Sequence, residues 1–115
     1  MVTEVDSGIV IVIEDVFIRT FLRCALARAG FSPVEMDVLA AADFVRSGGA
    51  HVKALITNKP AACVAWASAI PLVYTTSCPD PAAMQGFRRG RILEKPFHAQ
   101  QLLEALQAVG SVVVR

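Results

Sequence analysis

The sequence is short of the features that mark a secreted or nucleic-acid-binding protein. It has only three cysteines, an odd number without a Cys-x-x-Cys pair, which argues against a disulfide framework and against a structural zinc site. Its 11 basic and 10 acidic residues leave a formal net charge of +1, so charge gives no case for nucleic acid or an acidic membrane as a partner. We therefore expect a protein of the reducing cytoplasm.

Long apolar runs are also missing. The longest, over residues 61–74, is interrupted by Ser68 and Pro71, whereas a membrane-spanning helix needs about 20 apolar residues. Glu4 and Asp6 precede the first apolar run, where a signal peptide would carry lysine or arginine. The sequence thus predicts neither membrane insertion nor export.

What the chain does contain is a regular alternation of short apolar runs and amphipathic segments. Its 115 residues suffice for one domain, and 55% of them are hydrophobic, which favours a sheet covered on both faces. Alternating strands and helices of this length predict an α/β fold with a doubly wound parallel sheet. The predicted strands are 9–13, 31–35, 52–57, 72–75 and 91–93, and the predicted helices are 17–29, 38–46, a short 61–68, a brief 81–86, and 99–109.

Polar residues follow four of the predicted strands. The β-branched run 9–13 leads directly into Glu14 and Asp15. Because burying an unpaired carboxylate costs several kcal/mol, these acids must face water, a cation or a positive side chain. The carboxyl ends of parallel strands form the ligand crevice in open α/β sheets, and this edge also receives Asn58, Thr76 and Lys95.

The sequence resembles the receiver domain of two-component response regulators. Three segments carry the resemblance, in the same order and at similar spacings: Ile-Val-Ile-Val-Ile-Glu-Asp at 9–15, Ile-Pro-Leu-Val-Tyr-Thr-Thr at 70–76, and Leu-Glu-Lys-Pro-Phe at 93–97. It covers about residues 8–109 and implies a flavodoxin-like sheet of five parallel strands in the order 2-1-3-4-5. We expect the third helix to be truncated, and we expect a single receiver-like domain over 1–115 without an output domain.

The resemblance also implies a phosphorylation site, but the aspartate that would accept the phosphoryl group is missing. In that family an acid pair holds a divalent cation, an aspartate after the third strand accepts a phosphoryl group, and a hydroxyl and a lysine contact its oxygens. Glu14 and Asp15 match the acid pair, Thr76 the hydroxyl and Lys95 the lysine, but Asn58 stands at the acceptor position. Because a carboxamide cannot form an acyl phosphate, we expect no catalytic residue, at most residual phosphotransfer, and only weak Mg²⁺ binding at the acid pair.

Simpler roles are open for the same residues. Asp15 precedes the first predicted helix, where an acid favours the helix dipole or caps the first turn. Lys95 can form a structural ion pair with Glu14 or Asp15, and Thr76 can hydrogen-bond the backbone at its strand end. The acids therefore do not by themselves decide the function.

The resemblance implies a signalling protein that acts through a protein partner, a histidine kinase or a downstream regulator. Its contact surface is expected at the basic cluster Arg88–Arg91 and the final helix. One alternative is a phosphotransfer protein with a non-standard acceptor such as Thr57. Another is a small flavodoxin-like ligand-binding protein, although 14–17 lacks the glycines of a phosphate loop. Val112–Val114 is predicted to be an added edge strand, a homodimer contact or a disordered end.

Overall fold

The structure is a computed structural model that describes residues 8–46, 52–66 and 69–110. Five parallel strands form one sheet in the order β2-β1-β3-β4-β5, so the predicted doubly wound fold and its strand order are confirmed. The strands are β1 (Ile9–Ile13), β2 (Ser32–Glu35), β3 (Val52–Thr57), β4 (Leu72–Thr76) and β5 (Gly90–Glu94). The helices are α1 (Val16–Arg28), α2 (Val38–Arg46) and α3 (Ala99–Gly110), with two 3-10 helices at Pro60–Trp66 and Pro81–Met84.

β1 is an inner strand, paired with β2 on one side and β3 on the other. Its side chains alternate between the two faces, so Val10 and Val12 enter one hydrophobic core while Ile11 and Ile13 enter the other. All four are buried. Full burial of such a side chain contributes about 1.5–3 kcal/mol. Because an inner parallel strand is covered on both faces, side chains on both faces are buried, and the strand is therefore apolar throughout.

One face of the sheet is covered by α1 and α3, and we call its interior the α1–α3 core. In α3 the buried positions Leu102, Ala105, Leu106 and Val109 repeat at three- and four-residue intervals, which forms a continuous apolar stripe. In α1 the corresponding residues are Leu22, Ala25 and Leu26.

α1 ends where Gly30 adopts a positive φ of 96°, a conformation that glycine accepts without steric cost. The backbone N–H of Phe31 then bonds back to the Leu26 carbonyl at 3.0 Å. This turn reverses the chain and places β2 beside β1.

The opposite face has a thinner cover, formed by α2 and the two 3-10 helices around the α2 core. Ala41 is the one fully buried residue of α2, and Cys63 and Pro60 are the buried residues of the first 3-10 helix. The predicted truncation of the third helix is therefore correct, but the segment is a 3-10 helix and not an α-helix. Seven residues that begin at a proline give too few i→i+4 hydrogen bonds to favour the α form.

Two further expectations concern membrane insertion and the end of the chain. Over residues 8–46, 52–66 and 69–110, no helix combines the length and hydropathy needed to cross a membrane. The segment Val112–Val114, which was predicted to be an edge strand, a homodimer contact or a disordered end, lies outside the described residues.

Candidate functional site at the carboxyl edge of the sheet

The strand register brings polar residues of the three inner strands into one row. Ile13 pairs with Thr57, and Thr57 pairs with Tyr74. One residue further along the chain, the row becomes Glu14 and Asn58, each directly after its strand, and Thr75 within β4. Because alternate residues of a strand share a face, this row lies on the side of the α1–α3 core.

Glu14 is the centre of this row, and its carboxylate is completely buried. Lys95 Nζ lies 3.1 Å from its Oε2 and 3.4 Å from its Oε1. The Thr75 hydroxyl donates to Oε2, and the Asp15 backbone N–H donates to Oε1 at 2.8 Å. Both carboxylate oxygens are therefore hydrogen-bonded within the protein.

The ion pair explains how a carboxylate can be buried here. An isolated charge in this position would cost several kcal/mol, and the ammonium of Lys95 together with two further donors offsets that cost. The Lys95 side chain keeps 23% of its surface exposed, so the pair lies at the boundary between core and solvent. Lys95 is also fixed through its backbone, since its N–H donates to the Thr76 carbonyl at 2.7 Å.

Asp15 occupies the N-cap position of α1, but its side chain forms no capping hydrogen bond. Its backbone carbonyl accepts from the N–H groups of Ile18 and Arg19, both at 3.1 Å. The residue is exposed, and the ion pair of Lys95 is made with Glu14. The two adjacent acids therefore have different environments: one is neutralised inside the protein, and the other faces solvent.

The hydroxyl that contacts Glu14 belongs to Thr75 and not to Thr76. Thr75 is fully buried and lies on the same face as Val73, which is part of the α1–α3 core. Thr76 lies on the opposite face, where its hydroxyl accepts from the Cys78 N–H at 3.0 Å. Thr76 thus forms a backbone hydrogen bond at its strand end, and the contact of Thr75 with Glu14 was not predicted from the sequence.

Thr57 faces away from this row. It lies on the side of the α2 core, is fully buried, and accepts from the Lys59 N–H at 2.9 Å. Next to it, burial raises the pKa of the Cys63 thiol from its ordinary value of 9.0 to about 11, although a hydrogen bond with Thr57 lowers it. Asn58, one residue later, is half-buried in the row that contains Glu14.

The donor set of this edge does not fit a tight site for a divalent cation. Mg²⁺ prefers several oxygen ligands in octahedral geometry, but both oxygens of Glu14 already accept hydrogen bonds and face the Lys95 ammonium. Within the described ranges, no group of three or more His, Cys, Asp or Glu residues is placed to hold a metal ion. Asp15 is the one acid of the pair that remains accessible.

The basic cluster Arg88–Arg91 lies on the surface before and within β5. Arg88, Arg89 and Arg91 are exposed, and the Arg89 carbonyl accepts from the Leu72 N–H at 2.9 Å. Because β5 is the last strand in the sheet order, these side chains border one edge of the sheet.

The chain shares its fold with response regulator receiver domains of known structure. The chemotaxis response regulator CheY4 of Vibrio cholerae superposes with a TM-score of 0.71 at 20% identity, over 90% of this chain and 99% of that one. A response regulator receiver protein from Sinorhizobium medicae gives 0.70 at 24% identity, over 88% and 91%. The signal receiver domain of an HD domain-containing protein from Pseudomonas fluorescens gives 0.71 at 22%, over 94% and 91%.

A scan of family models and a search of curated proteins give no match. The likeness therefore rests on three-dimensional structure, and it shows that this chain has the receiver-domain fold.

Proposed function

We propose that this protein is a receiver-like signalling protein that acts by protein–protein interaction without conventional aspartyl phosphorylation. The receiver-domain fold supports the signalling role. The observation that carries the rest is the row at the carboxyl edge of the sheet, where Glu14 is already neutralised and a carboxamide, Asn58, takes the place proposed for the acceptor. An amide nitrogen is a poor nucleophile and gives no stable acyl phosphate.

The charge balance of the row supports this proposal. A phosphoryl group would require the Lys95 ammonium as a partner for its oxygens. Here that ammonium is held by the buried Glu14 carboxylate, and releasing it would leave a bare buried charge. The ion pair therefore stabilises the unphosphorylated arrangement.

The proposal is tested by incubating the protein with acetyl phosphate and Mg²⁺ and measuring its intact mass. We expect no phosphoryl adduct. The matched variant is Asn58→Asp, which restores a carboxylate in the same row without a change of size, and we expect it to gain an adduct. An adduct on the unmodified protein would contradict the proposal.

Thr57 is the acceptor that the competing hypothesis of a phosphotransfer protein would use. Its burial and its hydrogen bond to the Lys59 N–H disfavour that role, because a nucleophile has to reach the phosphodonor. If an adduct forms on the unmodified protein, Thr57→Ala identifies its position. Loss of the adduct in this variant would establish the competing function.

Weak Mg²⁺ binding follows from the negative charge that is missing at Asn58, in addition to the Glu14–Lys95 ion pair. A ligand that binds only the folded state raises the unfolding temperature according to its concentration and affinity. We expect millimolar Mg²⁺ to leave the unfolding temperature of the unmodified protein almost unchanged and to raise that of Asn58→Asp. Mg²⁺-free buffer with NaCl at matched ionic strength is the control, because general screening by salt would affect both proteins equally.

For the partner, we propose a histidine kinase or a downstream regulator that contacts Arg88–Arg91 and α3. Exposed arginines form bidentate pairs with carboxylates, which suits an acidic partner surface. Capture of a partner from the native cell should be lost in Arg88→Glu/Arg91→Glu. It should be retained in Arg46→Glu, a charge reversal of an exposed arginine on α2, which covers the opposite face of the sheet from α3.

A further inference from the structure

The outer strand β5 leaves backbone groups unpaired along its free edge. The Lys95 N–H donates to the Thr76 carbonyl at 2.7 Å. At the other end of the strand, the Arg89 carbonyl accepts from the Leu72 N–H at 2.9 Å. Because alternate residues of a parallel strand bond to the same neighbouring strand, the odd-numbered residues from 89 to 95 face β4. The groups that point away from the sheet are then the N–H and C=O groups of Gly90, Ile92 and Glu94.

The opposite edge of the sheet, at β2, is blocked. The N–H groups of Ser32 and Met36 donate toward β1, so the outward residues of β2 are Pro33 and Glu35. Proline has no N–H, which leaves the Glu35 N–H as the outward donor of this strand. Proteins protect strand edges in this way because an open edge pairs with other chains. β5 contains no proline, and its edge is therefore able to accept a further strand.

The elements next to β5 cover its faces and leave room beside its edge. Met84, at the end of the second 3-10 helix, lies against the position that a side chain at Gly90 would occupy. On the other face, a hollow of about 320 Å³ opens between β5 and α3, with Arg91 and Glu104 among its lining residues. Gly90 is exposed and Ile92 is half-buried. A strand paired with β5 would thus find space for its side chains beside α3.

The charges beside this open edge are mostly positive. Arg88, Arg89 and Arg91 are exposed at its amino end. In the part of the chain that the structure describes, none of these arginines takes part in an ion pair. The acids nearby are Glu94 at the carboxyl end of β5 and Glu104 on α3. The amino end of the edge therefore favours an acidic ligand.

We propose that the edge of β5 binds an extended segment of the partner protein as a further strand of the sheet, with acidic side chains of that segment beside Arg89 and Arg91. These arginines alternate with Leu93 on the face that α3 covers. Main-chain hydrogen bonds supply affinity in this kind of recognition, and alternate side chains supply specificity. The inference rests on the proposed function, because it specifies how a partner contacts the Arg88–Arg91 surface.

A second copy of the chain fits this edge less well. Two β5 strands paired antiparallel about the middle of the strand would use all the outward groups. This pairing would place Arg89 opposite a lysine, Lys95, and would bring the two copies of Arg91 into diagonal contact. Only Arg88 would gain an acid as a diagonal neighbour, Glu94. An acidic segment of another protein, in contrast, can give each exposed arginine a carboxylate.

The probes are two peptides, each two residues longer than β5, one with valine and glutamate in alternation and one with valine and lysine. Binding to the full-length protein is measured by fluorescence anisotropy. We expect the acidic peptide to bind and the basic one to bind at least about tenfold more weakly. Equal binding of the two peptides, or binding of neither, would overturn the proposal.

N-methylation of the acidic peptide tests strand pairing itself. One form carries methyl groups on the amides of its valines and the other on those of its glutamates, so each loses the N–H donors along one side of the strand only. We expect one form to bind like the parent peptide and the other to bind at least about tenfold more weakly. Equal binding of the two forms would contradict strand addition, because a contact through side chains alone does not distinguish the two sides.

Variants of the protein locate the binding at β5. Ile92→Pro removes an outward N–H that no strand of the described sheet uses, and it should abolish binding, whereas Ile92→Ala keeps the N–H and should retain it. The unfolding temperature shows whether Ile92→Pro folds, and the methylated peptides decide the question if it does not. Arg89→Glu/Arg91→Glu should weaken the acidic peptide by about tenfold or more. Arg28→Glu/Arg46→Glu, with the same change in net charge, should not.

Two results would overturn this inference and leave the proposed function in place. In the first, the protein captures a partner from the native cell through Arg88 and Arg91 but binds no strand peptide. In the second, the protein forms dimers by sedimentation velocity and Ile92→Pro abolishes them, so that a second copy pairs with β5. A phosphoryl adduct on the unmodified protein, in contrast, counts against the proposed function and not against the pairing of a peptide with β5.

Discussion

Lys95 is the residue whose loss should affect the carboxyl edge most. Lys95→Met keeps the length of the side chain but leaves the Glu14 carboxylate buried without a cation. Breaking a buried ion pair from one side costs about 3–5 kcal/mol, and the partial exposure of Lys95 reduces this to about 2–4 kcal/mol. The measurement is the free energy of unfolding in urea at neutral pH.

The control for this prediction is an exposed ion pair of the same chain. Arg46→Met removes a cation that lies 2.8 Å from Asp43, with both side chains more than 70% exposed, and such pairs contribute about 0–1 kcal/mol. Glu14→Gln/Lys95→Met should recover part of the loss, because the neutral amide no longer needs a counter-charge. Equal destabilisation by Lys95→Met and Arg46→Met would show that Glu14 does not depend on its partner.

Cys63 should make stability fall at alkaline pH. Its pKa is about 11 in the folded protein against 9.0 ordinarily, so the folded state retains the proton that the unfolded state loses. The stabilisation is therefore fully present below pH 9 and disappears as pH rises toward 11, with a total of the order of 2 kcal/mol. Urea unfolding between pH 8 and 10.5 should show a steeper decline for the unmodified protein than for Cys63→Ala.

Cys24→Ala provides the comparison for this pH dependence. Cys24 is exposed on α1, so its replacement should leave the slope of stability against pH unchanged. Parallel slopes for all three proteins would mean that the Cys63 thiol ionises equally in the folded and unfolded states.

The two threonines of β4 show where prediction from sequence reached its limit at this scale. The run Tyr74-Thr75-Thr76-Ser77 offers consecutive hydroxyls, and the motif alignment selected Thr76. Which hydroxyl meets Glu14 is decided by the pairing of Leu72 with Leu55 and of Thr75 with Leu93. A shift of one residue exchanges the two faces of a strand, and no local pattern in this run fixes that shift.

At the scale of elements, α2 is the helix that should depend most on its cap. The Asp37 carboxylate accepts from the Ala40 N–H at 2.8 Å, and Ala41 is the only fully buried residue of the helix. Asp37→Ala should destabilise the protein by about 1 kcal/mol and lower the helical signal in circular dichroism.

Asp80 offers a matched position, because its side chain accepts from the Ala82 N–H but caps a 3-10 helix of only four residues. Asp80→Ala should therefore have a smaller effect on both stability and helical signal. A larger effect of Asp80→Ala than of Asp37→Ala would mean that the short segment contributes more to the fold than its burial indicates.

The elements themselves were largely predictable because their patterns are local. β1 is a continuous apolar run, β3 is mostly apolar, and α3 repeats its leucines at helical spacing, so their type and bounds were predicted within a residue or two. The segment Pro60–Trp66 was harder, because seven residues make only about two turns of either helix and give no periodicity that distinguishes an α-helix from a 3-10 helix.

At the scale of the whole molecule, the two faces of the sheet should differ in stability. The α1–α3 core is covered by two α-helices, whereas the α2 core is covered by one loosely buried helix and two 3-10 helices. In native-state hydrogen exchange, we expect amides of α1 and α3 to exchange slowest and those of α2 and the 3-10 helices to exchange many times faster. Uniform protection of all helices would contradict this difference.

The overall topology was predictable because the segments 9–15, 70–76 and 93–97 occur in the order and at the spacings of a receiver domain, which implies the strand order 2-1-3-4-5. The site was predictable only in part, since it depends on contacts between residues far apart in the chain. The sequence indicated that Lys95 lies near the acid pair. It did not indicate that Lys95 pairs with Glu14 and not with Asp15, because this depends on which of the two carboxylates points into the protein at the end of β1.

The partners of Glu14 also set a condition on the order in which the chain can fold. Thr75 and Lys95 follow it by 61 and 81 residues. While the polypeptide is being synthesised, β1 and β3 leave the ribosome well before the residues that neutralise this carboxylate. Until then the end of β1 has to stay hydrated, because closing the sheet around an unpaired charge is unfavourable. The nascent chain is therefore expected to complete its sheet only once β5 has emerged, which delays compact folding until most of the domain is available.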